Sequence, residues 1–140
     1  MMVRQYLTGV PDAIISLCRQ QQNNMFKLIV AGGRDFNNYQ HLKKTLDNLL
    51  SLKTDVEIVS GMATGADSLA VKYAKETGRT VAKFPAKWKT DGNSAGFKRN
   101  KVMALYADAC VCFWDGKSKG TAHMILIARH YNLPVRIIKY

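Results

Sequence analysis

Acidic residues are scarce in this chain. Ten Asp and Glu stand against 21 Lys and Arg, which leaves a net charge of +11 over 140 residues. That deficit predicts an anionic partner: a nucleic acid, a nucleotide or a phosphate-rich metabolite. The plainer reading is a solvated basic surface. Cysteine is almost as sparse, with Cys18, Cys110 and Cys112. An odd count without a disulfide-like framework suits a reducing compartment. Cys110 and Cys112 alternate within "ADACVCFW", so they should share one face of a strand as core thiols. Two further ligands at zinc spacing are lacking, so no metal site and no cofactor is expected. No apolar run approaches the length of a membrane span. The N-terminus has no continuous apolar core with a cleavage site. The expected location is the cytoplasm, without a membrane partner. Repeats and low-complexity tracts are also missing.

The length suits one domain with one core. Residues 1–25 differ from the rest and read as an N-terminal helical extension. Pro11 fits a first helical turn, Ile14, Ile15, Leu17 and Cys18 supply an apolar stripe, and "QQQNN" reads as a polar linker. So short a helix must pack on its own domain or on a second copy, which makes a homo-oligomer possible. Residues 26–140 then alternate regularly. "FKLIVA", "VEIVS", "TVAKFP", "DACVCFW" and "PVRIIKY" read as strands. "YQHLKKTLDNLLSL", "DSLAVKYAKETG", "FKRNKVMALYA" and "TAHMILIARHYN" read as helices, and Gly78 suits the position just past a helix end. "AKWKTDGNSAG" reads as an irregular loop. Strict alternation implies parallel strands joined by right-handed crossovers. Near-continuous apolar strands imply helices on both faces. The predicted fold is α/β, a three-layer Rossmann-like sandwich with about five parallel strands.

Ligands of such sheets bind at the carboxyl ends of the strands, and every unusual cluster here falls at one. In "SGMATGAD", Gly61 allows a sharp turn, and Thr64, Gly65 and Ala66 open a helix whose unpaired amides suit phosphate. An ordinary turn capped by Thr64 or Asp67 reads equally well. In "GGRDF", Gly32 and Gly33 permit close backbone approach, and Arg34 can hold a phosphate or carboxylate in two bonds. Arg34 can instead pair with Asp35 or Asp67. Asp35 suits a ribose hydroxyl or the orientation of Arg34. In "FWDGKSKGTAHMI", Gly120 and Thr121 open a helix, and Lys117 and Lys119 add charge. Trp114 and Asp115 precede them, and Trp114 either stacks on a base or packs. His123 reads as a helix-surface residue. "AKWKTDGNSAGFKRN" brings Trp88, Lys89, Lys98, Arg99 and Asn100. Arg99 and Asn100 either reach over the crevice or lie on a solvated helix face.

Together, "GGRDF", "SGMATGADSLA", "GFKRNKVM" and "FWDGKSKGTAHMI" resemble the YspA-type branch of the SLOG superfamily over roughly residues 26–140. The resemblance implies a Rossmann-like domain that binds nucleotide-derived ligands such as ADP-ribose. Its relatives include the "Lonely guy" phosphoribohydrolases and the DprA proteins. Carried over by motif, Gly32, Gly33 and Arg34 form a first ligand loop. Gly61, Thr64, Gly65 and Asp67 form a second, Arg99 and Asn100 a basic helix motif, and Gly120 and Thr121 a phosphate loop. One departure stands out: where the phosphoribohydrolases carry a catalytic Glu, three residues after the Thr, this chain has Met124. A thioether is neither acid nor base. No catalytic residue is therefore assigned, and binding is favoured over hydrolysis.

Three functions compete. The first is a sensor or sequestering protein for a nucleotide-derived small molecule. The second is a nucleotide-processing enzyme that breaks an N-glycosidic bond with Asp35, Asp67 or Asp115. The third, ranked last, is binding of single-stranded nucleic acid. Against it, the chain shows no stripe of exposed aromatics among basic residues beyond Trp88 and Trp114.

Overall fold

The computed structural model describes residues 25–140. The expected N-terminal helix around Ile14, Ile15 and Leu17 lies outside the described residues. So does any self-association through it.

Five strands alternate with helices in chain order. They are β1 (Phe26–Gly32), β2 (Val56–Ser60), β3 (Thr80–Lys83), β4 (Ala109–Trp114) and β5 (Val135–Lys139). All neighbouring pairs are parallel, in the order β3-β2-β1-β4-β5. The helices are α1 (Tyr39–Leu49), α2 (Ala66–Glu76), a short α3 (Trp88–Asp91), α4 (Ala95–Tyr106) and α5 (Lys119–His130). The chain runs outward through β1, β2 and β3, then crosses back to lay β4 on the other side of β1. The switch point therefore falls between β1 and β4, where strand ends diverge and leave a crevice.

The expected single core is two half-cores divided by the sheet. Side chains of a strand alternate in direction, so each central strand feeds both. Leu28 and Val30 of β1, with Val111 and Phe113 of β4, pack against Leu42 and Leu46 of α1 and Tyr73 of α2. Ile29 and Ala31, with Cys110 and Cys112, pack against Met103 of α4 and Met124 of α5. The two thiols do share a face and are both buried and unbridged. Their sulfurs lie 3.5 Å apart.

Three differences concern boundaries. "AKWKTDGNSAG" is not irregular throughout. Thr90 and Asp91 donate to the Lys87 carbonyl and close a single helical turn. Gly92, at φ +59, ends it and leads into a 3₁₀ turn over Gly92–Ser94. Helix α4 begins at Ala95, ahead of Phe97. Helix α5 begins at Lys119, ahead of Thr121, because Ser118 is its cap and accepts from the Thr121 amide at 3.4 Å. Among the described residues, no helix is long and apolar enough to cross a membrane. Among the same residues, no group of three or more His, Cys, Asp or Glu is placed to hold a metal ion.

Candidate functional site

A cleft of about 450 Å³ opens at the switch point. The end of β1 and the loop after it supply Gly32, Gly33, Arg34 and Asp35. The loop after β2 supplies Ala63, the first turn of α2 Asp67, and α3 Trp88. Arg99 and Asn100 come from α4, Asp115 from the loop after β4, and Gly120 and Thr121 from the start of α5. A second hollow of about 340 Å³ adjoins it, sharing Arg34, Ala63, Trp88 and Arg99 and adding Gly61 and Thr64. The four motifs singled out from sequence thus meet in one place. Gly65, Lys117, Lys119 and Trp114 line neither hollow. Both lysines are exposed. The Trp114 indole donates to the Ser118 carbonyl at 3.1 Å and so ties down its own loop.

The glycines are also closely approached by the chain itself. A Cβ on Gly32 would strike the Phe113 carbonyl and the Ala66 side chain. One on Gly33 would strike the Tyr140 hydroxyl, which donates to Asp35 Oδ1 at 2.6 Å. Gly65, at φ +76, has the Gly33 and Arg34 backbone where its side chain would be. Gly61 faces Arg99 and Asp67. At these four glycines, neighbouring strands, helices and loops of the chain occupy the space a side chain would need. Gly120 differs: a Cβ there would meet no protein atom within 4 Å.

Helix starts are less open than expected. The Ala66 amide donates to the Gly33 carbonyl at 3.2 Å, and the Ala63 amide to Asp67 Oδ2 at 3.2 Å. Neither Thr64 nor Asp67 caps α2, whose cap position is Gly65 without a side-chain bond. In the loop after β4, Asp115 Oδ1 accepts from the Lys117 and Ser118 amides, each at 2.8 Å. Those bonds hold its carboxyl below the usual carboxylate range.

Four polar side chains are buried in the described chain, Ser60, Asp67, Asn100 and Thr121. Asp67, Asn100 and Thr121 line the cleft, and Ser60 lies behind it. Ser60 Oγ donates to the Asp67 carbonyl at 3.2 Å and accepts from the Met62 amide at 3.2 Å. Burial pushes the Asp67 carboxyl up to about 6, against the opposing pull of the Ala63 amide, Arg99 and Arg34. Arg99 donates from Nη1 to the Gly61 carbonyl and, at 3.5 Å, to that of Phe84. Its Nε donates to Asn100 Oδ1 at 3.0 Å. Burial pulls its guanidinium below its ordinary value, with nearby Asp67 opposing. Arg34 is exposed. The ion pairs among the described residues are Lys43–Asp47 and Lys98–Asp91, so Arg34 pairs with neither Asp35 nor Asp67.

Sequence reasoning missed several lining residues. Ser118 was legible as a cap, by its place before a helical run. Phe97 was missed: it is 49% exposed and lines the cleft beside Trp88, an expected site residue that is 50% exposed. Met124 is 1% exposed, lies in the half-core beneath the cleft and contributes to its floor. His123 is not a free surface residue. Its ring lies 4.4 Å from that of Phe97, and its Nδ1 is 3.1 Å from Asn100 Nδ2.

The sequence model of a family described as YspA, cpYpsA-related SLOG matches residues 26–90. Gene 61 protein of Mycobacterium phage D29 is 30% identical over 118 residues, spanning 79% of this chain and 94% of that protein. DNA processing protein A of Streptococcus pneumoniae is similar in fold, with a TM-score of 0.67 at 18% identity over 81% of this chain. The same protein of Helicobacter pylori, described by its single-stranded DNA binding mode, gives 0.56 at 20% identity over 80% of this chain. The chain spans 50% and 64% of those two proteins. At these identities the likeness is one of fold.

Proposed function

The chain belongs to the YspA, cpYpsA-related SLOG family, and from there we propose that it binds a nucleotide-derived, phosphate-bearing small molecule as a sensor or sequestering protein. The observation that carries the reading is the convergence of Arg34, Arg99, Trp88 and the open backbone at Gly120 on one cleft at the switch point. Arg34, which has no ion-pair partner among the described residues, lines the cleft with Arg99, whose Nη1 is fixed by carbonyls, and such a pair suits a phosphate. The half-exposed Trp88 ring suits a base, and Asp35 a ribose hydroxyl. The volume of about 450 Å³ falls in the usual range for small-molecule sites. Met124 brings no acid to the floor, so the reading is binding without turnover. Heat release of copurified ligand with mass spectrometry, then calorimetry with ADP-ribose and mononucleotides, tests it. Binding that survives in an Arg34→Ala, Gly120→Val double variant would place the ligand elsewhere. Protein-dependent release of free base that vanishes in Asp67→Asn would make the protein an enzyme.

A second reading is single-stranded nucleic acid, favoured by one observation. Trp88 and Phe97 are both half-exposed at the cleft, in segments carrying Lys87, Lys89 and Lys98. Stacking platforms among cations are how such strands are held. Phe97 thus supplies the aromatic partner that Trp114 does not. Fluorescence anisotropy with a labelled oligonucleotide separates the readings. Tight binding that a Trp88→Ala, Phe97→Ala double variant loses, with no small-molecule binding, would favour the strand.

A further inference from the structure

Asn100 is buried, and a buried amide must find partners for both ends. Its Oδ1 accepts from Arg99 Nε at 3.0 Å. Its Nδ2 lies 3.4 Å from the Gly120 carbonyl and 3.1 Å from His123 Nδ1. The orientation of the amide is fixed by chemistry. Arg99 Nε can only donate and the Gly120 carbonyl can only accept, so oxygen faces the arginine and nitrogen the helix start. His123 Nδ1 must therefore accept, which requires a neutral ring with its proton on Nε2. Two hydrogen bonds through Asn100 join His123 to a guanidinium of the cleft.

We propose that His123 is a positioning residue whose protonation releases the Arg99 guanidinium through Asn100. A proton on Nδ1 turns the acceptor into a donor that faces the Asn100 amide donors. Turning the amide over repairs that contact but sets Nδ2 against Arg99 Nε–H and takes the donor away from the Gly120 carbonyl. Either response leaves Arg99 and the first turn of α5 less well held. Burial alone depresses the ring below its ordinary 6.5 and keeps it neutral at physiological pH. The charged groups on the two helices around it are Lys98, Arg99 and Lys101 of α4 and Lys119, Arg129 and His130 of α5. Asp67 lies across the cleft, and Asp115 in the loop before α5.

The functional half rests on the reading that Arg99 faces a phosphate-bearing ligand. The expected sign is opposite to that of simple electrostatics. A cationic imidazole beside an anion site would strengthen binding at low pH, and protonation of Asp67 would do the same by removing a negative charge near Arg99. Loss of affinity on acidification is the mark of the relay.

The test follows the Arg99 Nε–H resonance of the full chain by NMR between about pH 7.5 and about pH 5, the interval of histidine titration. The His123 ring protons and the Asp67 carboxyl carbon are titrated in the same sample. A His123→Asn variant offers an acceptor that does not titrate. The Arg99 signal is expected to inflect with His123, and this inflection to vanish in His123→Asn. Affinity for ADP-ribose is expected to fall about tenfold across the interval in the wild type and to stay level in the variant. An Arg99 signal that ignores His123, or follows Asp67 alone, overturns the relay, and the wild type suffices for this if the variant does not fold. Unchanged or rising affinity on acidification overturns its functional half. Failure of ADP-ribose to bind at any pH, with the NMR coupling intact, counts against the ligand reading and not against the relay.

Discussion

At the scale of single residues, Asp67 gives the clearest expectation. Its native carboxyl titrates at about 6, against 3.8 ordinarily. Between those values the native state holds a proton that the unfolded chain has lost, so stability falls as pH rises through the window. The loss is on the order of 2–3 kcal/mol. Asp67→Asn keeps an acceptor for the Ala63 amide and removes the titration. Urea unfolding should show the variant and wild type converging near pH 4 and separating above pH 6, with the variant more stable. Gly120 gives a second. No protein atom meets a side chain there, and alanine is the better helix former. Gly120→Ala should hold or raise stability by up to about 1 kcal/mol while weakening ligand binding. Thermal unfolding and calorimetry on the same sample check both halves. A glycine whose vacancy faced only protein would show the reverse pattern.

At the scale of elements, two of the positive-φ glycines, Gly65 and Gly78, make a controlled pair. Both pay backbone strain when replaced by alanine. A Cβ on Gly78 meets nothing, whereas one on Gly65 meets the Gly33–Arg34 backbone. Gly65→Ala should therefore cost more than Gly78→Ala, by about 1–3 kcal/mol in urea unfolding, and should also weaken binding. The pair also shows how much was legible. That a small residue is needed at positions 32, 33, 61 and 65 can be read from the motifs. For whom it is needed cannot, because the neighbour is brought in by the fold. The motifs point to a ligand as the neighbour, and at these four positions strands, helices and loops of the chain itself also crowd the missing side chain. The five strands were legible because their apolar runs and intervening helical periods are long. The turn over Trp88–Asp91 was not, since four residues hold barely one period. Nor was the contact of His123 with Asn100, since 23 positions and a helix–helix interface separate them.

At the scale of the molecule, charge and cleft make different demands on salt. A strand held along a basic face releases many counterions, and its affinity falls about 10³–10⁵-fold between about 50 and 200 mM salt if six to ten phosphates are neutralised. A small phosphate-bearing ligand held by Arg34 and Arg99 meets few of the 21 cationic side chains. Its affinity should fall by less than about tenfold across the same interval. Calorimetry at the two salt concentrations checks this. A steep slope for ADP-ribose would mean that the surface, and not the cleft, does the binding.

The paired thiols behind the cleft floor make the protein its own stopwatch. Cys110 and Cys112 sit on the central sheet under Met103 and Met124. Cys112, by its hydrogen bond, and burial after it, hold the Cys110 thiol well above its ordinary value. Both thiols are buried, so a thiol reagent reaches neither until the sheet parts. In a Cys18→Ser background, the labelling rate should therefore count openings of the whole domain. A ligand that closes the crevice should slow that clock by a factor set by its concentration over its dissociation constant.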